Sequence, residues 1–337
     1  MIYLERPPRG LVLGRFLPPH TGHAYLCDFA RAYAEAITVL VSIRPDDAIA
    51  GEQRMGWMRT LCPSARVIAC RNDLPVLATD LAPSAWLAWR EAVRAAHPEP
   101  IDVVFASEPW GHRFASVLGA RFAPVDIDHA TAPADADEVL RDPYGNWNFL
   151  PSPVRQHFLR RVTLFGAEST GKTTLARQLA AHFKTVVAFE YGRFYTEAFG
   201  QDAAGAEDMR RIVLGHLAGV EAARPLANRV LIEDTDPVLT AIWSDVLTGE
   251  RNPWFASYRD YPDLYLFCDI DVPWAADGVR YFSNADERGR FHQACERELQ
   301  VRGAPVLKLS GSEAQRRAAA IEAIEGLLKP RGRAYPT

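Results

Sequence analysis

With 337 residues, 48% of them hydrophobic, the chain is too long for one comfortable core and apolar enough to fold throughout, so two domains are expected. A formal net charge of −4 argues against a broad nucleic-acid surface, and no apolar run approaches membrane-spanning length. Five scattered cysteines without a Cys-x-x-Cys spacing fit reduced buried thiols rather than disulfides or a structural zinc. The chain reaches Pro and Arg within ten residues of its start, which does not suit an export signal. These features together predict a cytoplasmic protein with small-molecule partners, no nucleic acid and no membrane insertion. Self-association is left open.

In chain order, β-like runs at Leu11–Leu13, Ile37–Ile43, Arg66–Ala69, Ile101–Phe105 and Ala123–Ile127 alternate with helical stretches, the βαβ order of a parallel sheet. Directly after the first run comes Gly14-Arg15-Phe16-Leu-Pro-Pro-His20-Thr-Gly22-His23, a strand-to-helix turn. Two imidazoles three residues apart at a helix start can face one ligand. Gly22 lets backbone approach closely, and the positive helix end suits charge developing on an attacked phosphate. A metal site is the competing reading, but no third ligand is placed for it. Trp57, Trp86 and Trp89 suit stacking on a cationic ring, yet each is also apolar in a helix-like segment and suits a core.

A Pro-rich aromatic segment, Arg141 to Pro153, interrupts the alternation and places a domain junction, giving residues 1–150 and 151–337. The pattern then restarts with a strand at Arg161–Phe165, a helix at Thr174–Phe183, a strand at Thr185–Phe189 and a long helix at Ala206–Ala223. Strands at Arg229–Ile232, Asp263–Cys268 and Pro305–Leu309 follow, with a closing helix. Between the first strand and helix of this half lies Gly166-Ala-Glu168-Ser169-Thr170-Gly171-Lys172-Thr173, a complete P-loop, followed by Thr174. Its backbone amides and the helix dipole converge on a polyanion, Lys172 reaches the outer phosphates, and the Thr173 hydroxyl suits Mg²⁺. The chain has four lysines, and one is here. No Asn-Lys-x-Asp guanine motif is present, which favours a small-molecule kinase using ATP.

The ten residues around His20 and His23 resemble the signature of nucleotidyltransferases, in particular the nicotinamide mononucleotide adenylyltransferases. That signature followed by a P-loop resembles the NadR family, in which such an adenylyltransferase is fused to a ribosylnicotinamide kinase. The resemblance covers roughly residues 10 to 328, with patches in order at Arg44-Pro-Asp-Asp47, Gly51 to Trp57, Trp86 to Trp89, Ser107 to Gly111, Glu190-Tyr-Gly-Arg193, Asp234-Thr-Asp236 and Pro273 to Arg280. No helix-turn-helix region precedes the first motif, so repressor function is not expected. The implied fold is α/β with two parallel-sheet domains: an N-terminal Rossmann-like nucleotidyltransferase domain and a C-terminal P-loop kinase domain.

The resemblance implies Mg²⁺ and ATP as cofactors, with nicotinamide riboside and nicotinamide mononucleotide as substrates. It implies nucleotide contacts in the first domain at Gly14, Arg15, Phe16, His20, Gly22, His23, Arg54 and Trp86. In the second, Asp234 is expected at Mg²⁺ with Thr173, and Asp236 at the ribose hydroxyls, although the two acids are exchangeable on sequence grounds. Glu190 and Arg193 are expected at the acceptor, with Glu190 orienting its 5′-hydroxyl. Arg280, with Arg288 and Arg290, reads as a set of lid cations. Trp274 and Asp277 are expected to receive the riboside.

One departure bears on the first domain. The family's Ser-x-Thr-x-x-Arg phosphate-binding pattern aligns here with Asp135, Asp137 and Leu140, with Arg141 one position late. Carboxylates beside a triphosphate add repulsion, so weak ATP binding is expected in this domain. Three readings stay open: a two-step enzyme ending in NAD, a kinase of another nucleoside, and a regulatory protein whose first domain binds nicotinamide nucleotides without turnover.

Overall fold

The structure, a computed structural model, describes residues 8–200, 204–272, 282 and 284–330. The chain divides into two compact units: residues up to His157 together with Pro330, and Phe158 to Lys329. Among the described residues no helix is long and apolar enough to cross a membrane, and all five cysteines are free and buried.

The first unit contains β1 (Arg9–Gly14), α1 (Thr21–Tyr33), β2 (Ala36–Ile43), α2 (Gly51–Leu61), β3 (Arg66–Arg71), α3 (Pro83–Ala96), β4 (Val103–Ala106), α4 (Gly111–Leu118), β5 (Arg121–Pro124), α5 (Ala136–Arg141) and α6 (Ser152–Phe158). All strand pairs are parallel, in the order β3-β2-β1-β4-β5. Both faces are covered because neighbouring residues of a strand point to opposite sides. Val12 packs with Val39, Met55, Met58 and Phe105, while Leu11 and Leu13 pack with Trp86, Trp89 and Phe114. The fifth strand lies earlier than its apolar run suggests. The chain turns at Asp126, which holds φ +51° and accepts hydrogen bonds from the amides of Thr131 and Ala132.

The second unit contains β6 (Arg160–Phe165), α7 (Lys172–Phe183), β7 (Val187–Ala188), α8 (Tyr191–Phe199), α9 (Ala206–Ala223), β8 (Val230–Asp234), α10 (Pro237–Thr248), α11 (Trp254–Ser257), β9 (Leu264–Cys268), α12 (Ala285–Arg302), β10 (Val306–Leu309) and α13 (Glu313–Leu327). Its parallel order is β10-β9-β6-β8-β7. One face buries Val162, Leu164, Ile232 and Leu266 against α7 and α13, and the other buries Phe165, Tyr265 and Phe267 against α10 and α12. In this register Leu164 of β6 pairs with Asp234 of β8, so Asp234 sits level with the strand end from which the P-loop departs. That is the carboxyl edge of a parallel sheet, where such folds bind ligands.

Candidate functional site

Between β6 and α7 the chain makes the turn that the glycine spacing predicts. Gly166 has φ +131°, and a Cβ there would stand 2.8 Å from the Cys268 carbonyl oxygen, so the position requires glycine on both counts. Ser169 and Gly171 are also left-handed, at φ +60° and +83°. The loop's carbonyls are held by side chains in succession. Ala167 O accepts from Thr170 Oγ1 and from Lys172 Nζ, both at 2.8 Å. Glu168 O and Ser169 O accept from Arg288 at 3.2 and 3.1 Å, and Thr170 O accepts from Arg316 at 3.1 Å. Both arginines are buried. With four consecutive carbonyls fixed this way, and the first amides of α7 unable to pair within their own helix, the loop is preorganised for an anion.

Thr173 Oγ1 donates to Asp234 Oδ2 at 2.6 Å. Asp234 is buried, and its Oδ1 has no hydrogen-bond partner among the described residues. Burial raises its pKa, opposed by the Thr173 hydrogen bond and by Lys172, Arg193 and Arg177. Glu190 is the residue before α8, and its side chain makes no cap hydrogen bond. Burial, then the Asp234 charge, push the Glu190 carboxyl up to about 7, against the pull of Lys172 and Arg193. One cavity is lined by Gly166, Glu168 to Thr174, Glu190 and Arg193, so the expected P-loop residues and the Glu190/Arg193 pair are brought together. It continues along Thr235, His216 and Trp243, three positions that sequence reasoning did not single out.

Asp236 is placed elsewhere. It caps α10 by accepting from the amides of Val238 and Leu239 at 3.0 and 3.1 Å, and its other oxygen accepts from the Tyr265 hydroxyl. It is 1% exposed, and burial pushes its carboxyl up to about 7. Contrary to expectation it is therefore a core group behind the cavity, because its cap geometry turns it away from the ligand face. Arg288, read as a lid cation, is instead spent on P-loop carbonyls and on Val272 O, while Arg290 is exposed. Trp274, Asp277 and Arg280 lie outside the described residues.

In the first unit, β1 feeds the turn from Gly14 to His20 and α1 begins at Thr21. His23 Nδ1 accepts from the His20 amide at 3.3 Å, and the two rings lie 3.8 Å apart. A Cβ on Gly22 would stand 3.0 Å from the His20 ring, so glycine lets that ring lie over the helix start. Burial lowers the His20 pKa to about 4, with Asp135 opposing, and burial followed by His20 lowers that of His23, so both are neutral at pH 7. Phe16 is buried and packs edge-on to His23 at 4.9 Å, beneath the site. Arg15 pairs with Asp47 at 2.8 Å.

Two expected nucleotide contacts are core residues instead. Arg54 is fully buried. Its guanidinium donates to Ile49 O and Ser42 O, both at 3.0 Å, to Arg15 O and to Asp47, because α2 lays it beneath the strand ends. Trp86 is 2% exposed and packs on Leu11 and Phe114, because α3 covers that face of the sheet. Asp135, which departs from the family pattern, caps α5 through the Glu138 amide at 2.8 Å and is exposed, as are Asp137 and Arg141. Solvent therefore screens the repulsion the sequence suggests, although Asp135 still acts electrostatically on His20.

A family model described as an AAA domain matches residues 161–316. The chain is 27% identical over 316 residues to the trifunctional NAD biosynthesis/regulator protein NadR of Salmonella typhimurium, covering 86% of this chain and 76% of that protein. It is also 27% identical over 302 residues to the protein of that name from Escherichia coli, covering 84% and 74%. Two solved NadR structures, both 22% identical, share the fold. One, in complex with NR, has a TM-score of 0.74 over 96% of each chain. The other, in complex with NAD and AMP-PNP, has a TM-score of 0.73 over 98% of each.

Proposed function

From the premise that the chain is a homologue of the NadR proteins, we propose that its second domain transfers the γ-phosphoryl group of ATP to the 5′-hydroxyl of nicotinamide riboside, forming nicotinamide mononucleotide. The observation that carries this reading is one cavity lined by a preorganised P-loop, Glu190 and Arg193, with buried Asp234 hydrogen-bonded to the lining residue Thr173. The P-loop amides and Lys172 bind the phosphates and receive the charge that builds on the transferring group. Glu190 orients the acceptor hydroxyl and takes its proton, a task suited to a carboxyl titrating near 7. Arg193 neutralises charge at the mouth of the cavity.

The donors present fit Mg²⁺. Asp234 keeps one buried oxygen unpartnered, Thr173 presents a hydroxyl beside it, and Mg²⁺ takes few protein ligands when phosphates and water supply the rest. When bound, the ion would neutralise phosphate charge.

The first domain is read as a Rossmann-like nucleotidyltransferase, a reading supported by the strand order β3-β2-β1-β4-β5 and the paired imidazoles at the start of α1. Its reaction would join nicotinamide mononucleotide and ATP into NAD and pyrophosphate. A second reading, binding of nicotinamide nucleotides without turnover, is favoured by Asp135, Asp137 and Leu140 standing where the family pattern has hydroxyl and arginine donors.

The test is incubation of the chain with nicotinamide riboside, ATP and Mg²⁺. Mononucleotide is expected, and Lys172→Ala should lower its rate by on the order of 10²- to 10³-fold. Unchanged turnover in that variant would overturn the assignment. Pyrophosphate release on supplying mononucleotide and ATP separates the two readings of the first domain.

A further inference from the structure

Beyond the P-loop, the cavity wall is supplied by α9 and α10 and is mostly apolar, with Met209, Ile212, Leu239, Trp243 and Leu247. His216 on α9 interrupts that wall. It is 4% exposed, and its Nε2 is buried with no hydrogen-bond partner among the described residues. Leaving such an atom unpaired destabilises the fold, and folded proteins keep few of them. The nearby carboxylate of Glu233 does not explain it, because Arg161 and Thr163 take both its oxygens. Burial lowers the pKa of His216, so the ring is neutral at pH 7 and carries one donor and one acceptor nitrogen.

We infer that His216 is a specificity-determining residue, whose Nε2 hydrogen-bonds an uncharged exocyclic amide on the base of the acceptor nucleoside. The inference rests on the riboside-kinase reading and deepens it by naming the group that recognises the base. An amide offers both an oxygen acceptor and an N–H donor, so it satisfies either tautomer of the imidazole. A carboxylate in the same place would be stripped of water among Met209, Ile212, Leu239 and Trp243, and among the described residues α9 and α10 place no cationic side chain in that wall.

The test compares two acceptors, nicotinamide riboside and the pyridine riboside that lacks the carboxamide, on the wild-type chain and on His216→Leu and His216→Gln. The wild type should prefer the carboxamide-bearing acceptor by about tenfold or more in kcat/KM. His216→Leu should lose that preference while its KM for ATP stays unchanged, and His216→Gln, which keeps a donor and an acceptor, should restore part of it. A merely structural histidine would slow both acceptors alike. Full preference in His216→Leu, or no preference in the wild type, would overturn the assignment. If wild type turned over pyridine riboside or another nucleoside but not nicotinamide riboside, the riboside-kinase reading would fall and this inference with it. For a His216→Leu chain that does not fold, the wild-type and His216→Gln preferences decide.

Discussion

The chain builds two strand-to-helix turns of the same kind, and they differ in what holds them. After β6, the carbonyls of Ala167, Glu168, Ser169 and Thr170 are tied by Thr170, Lys172, Arg288 and Arg316. Two of those ties come from helices more than a hundred residues downstream. After β1, the turn is lined by two neutral imidazoles in mutual contact, with Arg15 paired to Asp47 and Arg54 committed to the core. A turn after the first strand of a parallel sheet thus yields a preorganised polyanion cradle in one domain and a less cationic turn in the other, although the strand orders differ: the first strand lies between the second and fourth in the first domain and between the third and fourth in the second. Such a turn alone does not make a phosphate site. The supporting side chains do.

The largest expected effect that sharpens this contrast is on stability. Arg54→Ala removes a guanidinium from three backbone carbonyls and from Asp47, which keeps only Arg15 as a cationic partner, and should cost about 3–5 kcal/mol in denaturant unfolding of the first domain. The KM of the kinase for ATP should not move. A folded variant of normal stability with weakened mononucleotide binding would make Arg54 a ligand after all. Next is Arg316→Ala, which touches no phosphate directly yet releases the Thr170 carbonyl. It should raise the KM for ATP by roughly tenfold or more, since hydrogen bonds to charged groups contribute about 1.5–3 kcal/mol. An unchanged KM would detach the arginine ties from phosphate affinity.

In the first domain, the triple change Asp135→Ser, Asp137→Thr and Leu140→Arg replaces two exposed carboxylates and adds a cation. NAD formation from mononucleotide and ATP should rise by roughly tenfold, the scale of one close charge pair in solvent. No gain would assign the first domain's behaviour to other residues. The smallest effect concerns pH. With its carboxyl near 7, Glu190 is protonated and unable to accept a proton below that value, and ionised above it. Kinase kcat/KM should therefore rise with pH through about 7, and Glu190→Gln should be slower and lose that limb. A wild-type profile flat from pH 6 to 8 would remove Glu190 from the proton path.

The strands and the P-loop were legible because they are local: alternation and spacing within ten residues determine them. Asp234 ends β8 at the carboxyl edge, and Glu190 follows β7 by two residues, so both positions are suggested by local pattern. Asp236 is not, since two residues beyond Asp234 the chain has already become a helix cap that faces Tyr265. Arg54 and Trp86 carry side chains suited equally to a ligand or a core, and only the sheet faces covered by α2 and α3 decide between them. Arg316 lies in a helix of otherwise ordinary surface pattern, so its reach to Thr170 has no sequence signal. His216 reads as one polar residue on an amphipathic helix until α9 is laid against β7 and α10.

The most direct measurement is a calorimetric titration of the full chain with a non-hydrolysable ATP analogue and Mg²⁺. One tight site per chain is expected, abolished by Lys172→Ala and unaffected by His20→Ala. Two sites of equal affinity, or a tight site that survives Lys172→Ala and disappears in His20→Ala, would contradict this expectation.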